Sequence, residues 1–230
     1  SLSSVFNGDG NVIISGSLSS FSLLTGTNYG LQKYASTGIT SSLWLQNTDN
    51  SFLSPVEIVS GNVRVSDGRA LGRNTVTSLQ MVGGNLEVRA DAATLASGTS
   101  NFASKSIYFG STSNIIADRA IGGSSINGTL TFGSISVAAS DATAHTFTGR
   151  DGYSITIGSQ GVTQMNAYSP TFTNNSNGLL TINGNNFFGL PNYGYGLILY
   201  ATGDTLIAGS ILSNGSINNG YAEPLNKYSS

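Results

Sequence analysis

Two five-residue stretches, Asn62-Val63-Arg64-Val65-Ser66 and Asn85-Leu86-Glu87-Val88-Arg89, carry the pattern that decides the fold. In each of them apolar and polar residues alternate, so that an extended strand has one apolar face and one polar face. Thr129-Leu130-Thr131-Phe132 and Ser154-Ile155-Thr156-Ile157 repeat the pattern further along the chain. Long amphipathic helical periods are missing. The sequence therefore predicts many short, half-buried strands.

Apolar residues recur in three rows, at intervals of 21 to 25 positions. A period of this size is typical of a solenoid, in which each repeat stacks on its neighbour, and three rows predict three short strands per turn. The rows are Val63, Leu86, Ile107, Leu130, Ile155 and Leu180; Val56, Leu79, Phe102, Ile126, Phe147, Phe172 and Leu197; and Leu71, Leu95, Ile116, Val137, Val162, Phe187 and Ile211.

We therefore expect an all-β chain folded as a right-handed parallel β-helix, with about 20–25 residues and three short strands per rung. Parallel strands lie about 4.8 Å apart, so about eight rungs between Leu31 and Tyr221 would form a rod on the order of 40 Å long. Residues 1–30 are predicted to be an N-terminal cap or a continuation of the helix, 31–220 the helix itself, and 221–230 a C-terminal tail.

The composition excludes several classes of function. Charged residues make up 9% of the chain, against roughly 25% in an average protein. The net charge of −2 and the scattered Lys and Arg argue against a nucleic-acid partner. No apolar run is long enough for a transmembrane helix, and the absence of Cys removes disulfides and thiol chemistry.

An ordered series of short motifs lies between Leu31 and Arg89. The motifs are Leu31-Gln32-Lys33, Gly38, Leu43-Trp44-Leu45-Gln46-Asn47, Val56-Glu57-Ile58, Gly61, Val63-Arg64-Val65, Ala70-Leu71-Gly72 and Gly83-Gly84-Asn85-Leu86-Glu87. In their order and spacing they resemble the passenger-associated transport repeat, also called the autotransporter-associated β-strand repeat. Ala120-Ile121-Gly122-Gly123-Ser124 is similar to the sequence that follows such repeats. Ser36-Thr37 and Ser54-Pro55 depart from the glycines usual in the family.

This resemblance covers about half of the chain. It implies the β-helical passenger region of a very large exported protein, in which the repeat assists secretion and forms a stalk. An extracellular location on the outer surface of a bacterium would follow from it.

Residues suited to catalysis are few. A Ser/His/Asp triad would need His145, the single histidine, with Asp141 or Asp151, but no Gly-x-Ser-x-Gly stretch accompanies it. We interpret His145 as a solvated or packed strand residue. Glycoside cleavage requires paired carboxylates. The candidates are Asp118, Asp141, Asp151 and Asp204, with Arg119 and Arg150 as contacts for a sugar or a carboxylate.

These candidates form no dense acidic cluster in the sequence, so we predict no catalytic residues. The stretch Asn7-Gly8-Asp9-Gly10-Asn11 weakly resembles a calcium loop, but it lacks the closing Glu and is not repeated. Asp67-Gly68-Arg69 and Arg150-Asp151-Gly152 are interpreted as corners. No metal ligands and no cofactor site are predicted, and the sequence contains no nucleotide-binding glycine motif.

Aromatic residues are the candidates for a contact or assembly surface. Trp44 alternates with Leu43 and Leu45 and is predicted to face outward. A second group consists of Phe187, Phe188, Tyr193, Tyr195 and Tyr200. Aromatic rings can stack on sugars or cover an interface, but packing in a core or a cap is the favoured explanation of this second group.

The function predicted from the sequence is a non-catalytic structural or adhesive segment, either a stalk or a filament-forming solenoid, of a secreted bacterial surface protein. Its predicted partners are further copies of the solenoid, added end to end, and cell-surface polysaccharide. The alternative is a carbohydrate-binding or polysaccharide-degrading β-helix such as a phage receptor-binding fibre. An ice-binding solenoid ranks last, because the Thr residues do not recur in register.

Overall fold

The structure is a computed structural model of the 230-residue chain. It describes residues 4–7, 10, 12–15, 31–36, 41–51, 55–72, 79–97, 100–138, 143–158, 162–165, 170–188, 197–209, 211–213 and 226–229. For residues 4–7, 162–165, 185–188, 211–213 and 226–229 it describes the backbone alone.

Parallel strands form three sheets in the described residues. Sheet A consists of β1 Ser4–Asn7, β3 Leu31–Tyr34, β5 Val56–Ile58, β7 Leu79–Met81, β9 Ile107–Phe109, β12 Ile135–Val137, β15 Val162–Met165, β18 Asn185–Phe188 and β21 Ile211–Ser213. Sheet B consists of β2 Val12–Ile14, β4 Ser42–Leu45, β6 Asn62–Val65, β8 Asn85–Arg89, β10 Ser113–Asp118, β13 Ala144–Gly149, β16 Thr171–Asn174, β19 Ile198–Ala201 and β22 Asn226–Ser229.

Sheet C is shorter and consists of β11 Thr129–Thr131, β14 Ser154–Ile157, β17 Leu180–Ile182 and β20 Thr205–Ile207. Before β11, the third side of the coil contains two 3₁₀ turns, Gly68–Leu71 and Phe102–Ser104, and one short helix, α1 Ala92–Ala96. The chain thus visits sheets A and B in alternation, and from β11 onward it also visits sheet C. This is the parallel β-solenoid that the sequence predicts.

The strand register confirms the stacking of the two stretches that decide the fold. Val63 pairs with Leu86 and Val65 with Val88, and all four side chains are buried. Leu130, Ile155 and Leu180 likewise pair in succession through sheet C. Apolar side chains that alternate along each strand therefore form one continuous core, since each buried Val, Leu or Ile contributes about 1.5 to 3 kcal/mol.

The predicted rows change sheet where the rung length changes. Leu86 pairs with Ile115 in sheet B, whereas Ile107 pairs with Leu79 in sheet A. Along sheet B, Leu43 lies 20 positions before its partner Val63, whereas Ile115 lies 32 positions before Phe147. The number of residues between partners in one sheet is therefore not constant. A fixed period of about two dozen residues does not stay within a single sheet along the rod.

The other two predicted rows include residues outside the strands. Ile126 is exposed, Leu71 lies in a 3₁₀ turn and Leu95 lies in α1. Phe172 pairs with His145 rather than with Phe147, although the two Phe rings remain in contact. Three strands per rung are present from β11 onward, and the earlier rungs replace the third strand by turns and α1.

Strands on either side of the predicted helix boundaries belong to the same sheets as the central part. β1 pairs with β3 and β2 with β4, and β22 pairs with β19. The division at residues 30 and 220, and the right-handed sense of the coil, stay predictions.

A tight corner joins sheets B and C. The Gly149 amide donates to the Ser176 hydroxyl over 2.7 Å, and a Cβ atom on Gly149 would lie 1.7 Å from the Tyr153 carbonyl oxygen. The fully buried Tyr153 side chain donates its hydroxyl to the Ala90 carbonyl over 2.8 Å. A side chain at position 149 would push apart the chain segments that this corner holds together.

Candidate functional site

The charged residues of the outer face of sheet B meet in one continuous row. We call Arg64, Glu87, Arg89, Asp118 and Arg150 the arginine ladder. Alternation within β6, β8 and β10 places the first four side chains outward, because their neighbours Val63, Leu86, Val88 and Ala117 fill the core. Register brings Arg64 beside Glu87 and Arg89 beside Asp118, and Arg150 follows β13 directly.

Short contacts link each member of the ladder to the next. Arg64 Nη2 lies 2.8 Å from Glu87 Oε2, and Arg89 Nε lies 2.6 Å from Glu87 Oε1. Arg89 Nη2 then reaches Asp118 Oδ2 at 3.1 Å, which Arg150 Nη1 approaches at 3.5 Å. Two carboxylates are thus shared among three guanidinium groups, an arrangement that fixes the arginine side chains in place.

The acids of the ladder lie beneath its arginines. The Glu87 and Asp118 side chains are 6% and 7% exposed, whereas those of Arg89, Arg64 and Arg150 are 22%, 24% and 51% exposed. A carboxylate this deeply covered requires cationic partners, since an unpaired buried charge is strongly unfavourable. Within the ladder, the solvent therefore meets the arginine side chains more than the carboxylates.

Trp44 lies at the start of this face. It pairs in register with Arg64, whose guanidinium carbon lies 5.7 Å from the centre of the indole ring. The side chain is half-buried, and its Nε1 atom is buried without a hydrogen-bond partner in the described part of the chain. One side of the ring is thus occupied by a cation–π contact. The role of Trp44 in a contact surface stays a prediction.

Tyr200 is exposed and belongs to the same sheet, but it is remote from Trp44. Six strand intervals separate β4 from β19, about 29 Å at the spacing of parallel strands. The two residues therefore do not form one patch. Tyr193 and Tyr195 lie outside the described residues, and Phe187 and Phe188 belong to β18 in sheet A.

The structure brings together four of the six residues that were candidates for carbohydrate chemistry. Arg119 Nε lies 3.1 Å from Asp151 Oδ2, and the Arg119 amide donates to Asp118 Oδ1 over 2.8 Å. Arg150 and Asp118 belong to the ladder. The oxygens of Asp118 thus accept from arginine groups and do not face a second carboxylate across a groove.

The remaining two carboxylate candidates do not join this group. Asp204 lies in an exposed turn before β20, where its carbonyl oxygen accepts from Asn174 Nδ2. Asp141 lies outside the described residues, as do Gly8, Asp9 and Asn11 of the weak calcium loop.

His145 is a packed interior residue, as one of the two interpretations from sequence had it. Its ring stacks on Phe109 with centroids 4.1 Å apart, and its Nε2 lies 2.8 Å from the Thr143 hydroxyl oxygen. Burial lowers the pKa of His145 to about 3, so the ring is neutral near pH 7. Asp151 binds Arg119 on the surface instead, so among the described residues it does not complete a triad with His145.

A polar cleft that sequence reasoning missed lies on another side of the rod. It encloses about 530 Å³ and is lined by Thr48, Asp49, Asn50, Arg69, Gly72 and Asn101. Beneath it the fully buried Lys105 donates Nζ to the Gly72 carbonyl oxygen. Burial lowers the pKa of Lys105, and the nearby Asp67 opposes this shift.

The cleft also includes a predicted corner. Asp67 caps the 3₁₀ turn Gly68–Leu71 through the Arg69 amide, and its carboxylate pairs with Arg69 Nη2 at 2.7 Å. Asp67-Gly68-Arg69 is therefore a corner, as predicted. Lys105 lies between Ser104 and Ser106, so no signal in the sequence marked it as a buried residue.

The part of the chain that the structure describes holds no group of three or more His, Asp or Glu arranged to bind a metal ion. In the same residues, no helix is long and apolar enough to cross a membrane. No family model, curated protein or solved structure matches the chain, so the comparisons support no family assignment.

Proposed function

We propose that the chain is a non-catalytic structural or adhesive segment of a secreted bacterial surface protein, built like the β-helical passenger regions that its Leu31–Arg89 motifs resemble. The observation that carries this proposal is the unbroken parallel pairing of two nine-strand sheets along one apolar core. Each rung binds the next through backbone hydrogen bonds and buried side chains. Such stacking makes a stiff rod whose length grows with each rung.

The chemistry of the described residues supports a non-catalytic role. The ladder carboxylates are held by arginines, and His145 is buried and neutral. Neither arrangement offers a general acid and base facing one groove, which glycoside cleavage requires. The outer face instead presents fixed polar and cationic groups, which suit binding to another surface.

Labelling of intact cells tests the location and the role together. Antibodies raised against the purified chain should label unpermeabilised cells of the bacterium that encodes it, and external protease should remove the label. A cytoplasmic protein stained in parallel controls for lysis. Signal that appears only after permeabilisation would contradict a surface role.

A depolymerisation screen tests the absence of catalysis. The purified chain, incubated with bacterial and algal polysaccharides, should release no new reducing ends and no unsaturated products. Reproducible cleavage that is lost in an Asp118→Asn or Asp151→Asn variant would favour the alternative of a polysaccharide-degrading β-helix.

A further inference from the structure

A second ion pair lies at the carboxyl ends of β10 and β13, beside the arginine ladder. Arg119 follows β10 directly and pairs with Asp151, and its side chain is 43% exposed. Four arginines therefore lie on four successive strands of sheet B or directly after them, at positions 64, 89, 119 and 150. At the spacing of parallel strands they span about 14 Å along the rod.

We propose that these four arginines bind a linear polysaccharide that carries carboxylate groups. The proposal deepens the adhesive role and rests on it for the choice of a polysaccharide partner. Charge supports it, because the four arginines outnumber the three carboxylates that pair with them, Glu87, Asp118 and Asp151.

Unused donors on the arginines supply the binding groups. Arg64 and Arg89 engage Nε and Nη2 with the ladder acids, which leaves Nη1 of each without a partner among the described residues. Arg119 engages Nε alone, and Arg150 makes one long contact through Nη1. A guanidinium group offers five N–H donors in a planar fork that matches a carboxylate.

The buried acids prepare this site for an anion. Glu87 and Asp118 hold the side chains of Arg64 and Arg89 in one conformation, so that less side-chain entropy is lost on binding. Because both acids lie under the guanidinium groups, an incoming carboxylate meets positive charge first. A flexible polymer with a carboxylate on each sugar can contact several rungs at once, which raises its apparent affinity.

Isothermal titration of the purified chain tests the proposal, with polygalacturonate as the probe and dextran as the uncharged control. The wild-type chain should bind polygalacturonate, with an affinity that falls as salt is raised, and should not bind dextran. Arg119→Gln and Arg150→Gln should each weaken binding about tenfold, the effect of losing one charge-assisted contact. These side chains are well exposed, so the variants should retain the thermal unfolding of the wild type.

Arg69→Gln is the matched control. Arg69 is 48% exposed and paired with one carboxylate, as Arg119 is, but it lies at the polar cleft and not on sheet B. Its substitution should change polygalacturonate binding less than twofold. An equal loss in Arg69→Gln, or no binding by the wild type, would overturn the proposal. Binding of dextran sulfate as tight as that of polygalacturonate would overturn the assignment to carboxylates.

These outcomes are separable from those of the proposed function. Small-angle X-ray scattering of the same samples reports the rod independently of any ligand. A rod-like scattering profile without binding of polygalacturonate contradicts the arginine site alone. A compact globular profile contradicts the structural role.

Discussion

The rungs from β3 to β10 and those from β11 to β20 share sheets A and B but differ on their third side. In the first region that side consists of 3₁₀ turns and α1, and in the second it is sheet C. Rung length varies in the first region, whereas successive partners in sheet C, such as Leu130, Ile155 and Leu180, are 25 positions apart. A regular third strand therefore accompanies a regular period.

Charge separates the two regions even more clearly. Residues 31–128 contain 13 charged side chains, whereas residues 129–207 contain four, Asp141, Arg150, Asp151 and Asp204. Four of the five residues of the arginine ladder lie on the outer face of the first region. The second region places neutral side chains such as Thr146, Thr148 and Thr173 on that face, where they alternate with the buried His145, Phe147 and Phe172. The same solenoid thus tolerates either ionic or neutral polar contacts outside an apolar core, because the core supplies most of the stability.

The largest expected effect comes from the aromatic core where the two regions meet. Phe172 is fully buried and its ring contacts Phe147 at 5.2 Å and His145 at 5.8 Å. Phe172→Ala should lower the free energy of unfolding by about 3 to 5 kcal/mol, from lost burial and the cavity left behind. Urea denaturation measures this change in the free energy of unfolding. Thr173→Ala, on the adjacent outward side chain, should cost less than about 0.5 kcal/mol, and an equal loss would contradict the assigned faces.

A pH effect should follow from His145, which lies in the same cluster. Its folded pKa of about 3 is below the ordinary value of 6.5, so its contribution is complete above pH 6.5 and is lost as the pH falls toward 3. Between pH 7.5 and 4.5 the wild type should lose about 2 to 3 kcal/mol more than His145→Phe. Denaturant titrations of both proteins at the two pH values measure this. Parallel losses in the two proteins would show that another group causes the decline.

Removing the centre of the arginine ladder should have an intermediate effect, confined to the first region. Glu87→Gln takes the charged partner from Arg64 and Arg89, which are both about one-quarter exposed. We expect a loss of about 2 kcal/mol that shrinks as salt is raised. Amide hydrogen exchange should increase in β6, β8 and β10 and stay unchanged in β17 and β20. Uniform loss of protection along the rod would argue against nearest-neighbour stacking.

The smallest expected effect concerns a neutral ladder on the same face. Asn85 donates to Asn62 Oδ1 over 2.6 Å and accepts from Asn114 over 2.6 Å. Asn85→Ala should cost about 1 to 2 kcal/mol, the net worth of two hydrogen bonds. Thr146 continues the row on β13, and Thr146→Ala should cost less than about 0.5 kcal/mol. Thermal unfolding measures the stability lost in both variants. A larger loss in Thr146→Ala than in Asn85→Ala would contradict the greater contribution expected from the asparagine hydrogen bonds of the first region.

The alternation of apolar and polar residues within short stretches was sufficient to predict most of the strand positions tested. The stretches at Asn62, Asn85, Thr129 and Ser154 each begin a strand at that residue. A parallel solenoid followed from their spacing, since strands that recur at two dozen residues can pair only through crossovers. Both features depend on residues close together in the chain, and sequence alone therefore determines them.

The tertiary structure alone decided which residues are neighbours across the rungs. Register depends on the length of every corner between two strands, and these lengths vary because turns and α1 replace strands on one side. Arg64, Glu87 and Arg89 were visible as outward residues in the two deciding stretches, but their contacts with Asp118 and Arg150 required that register. The buried Lys105 was likewise hidden, because its partner Gly72 lies one rung away.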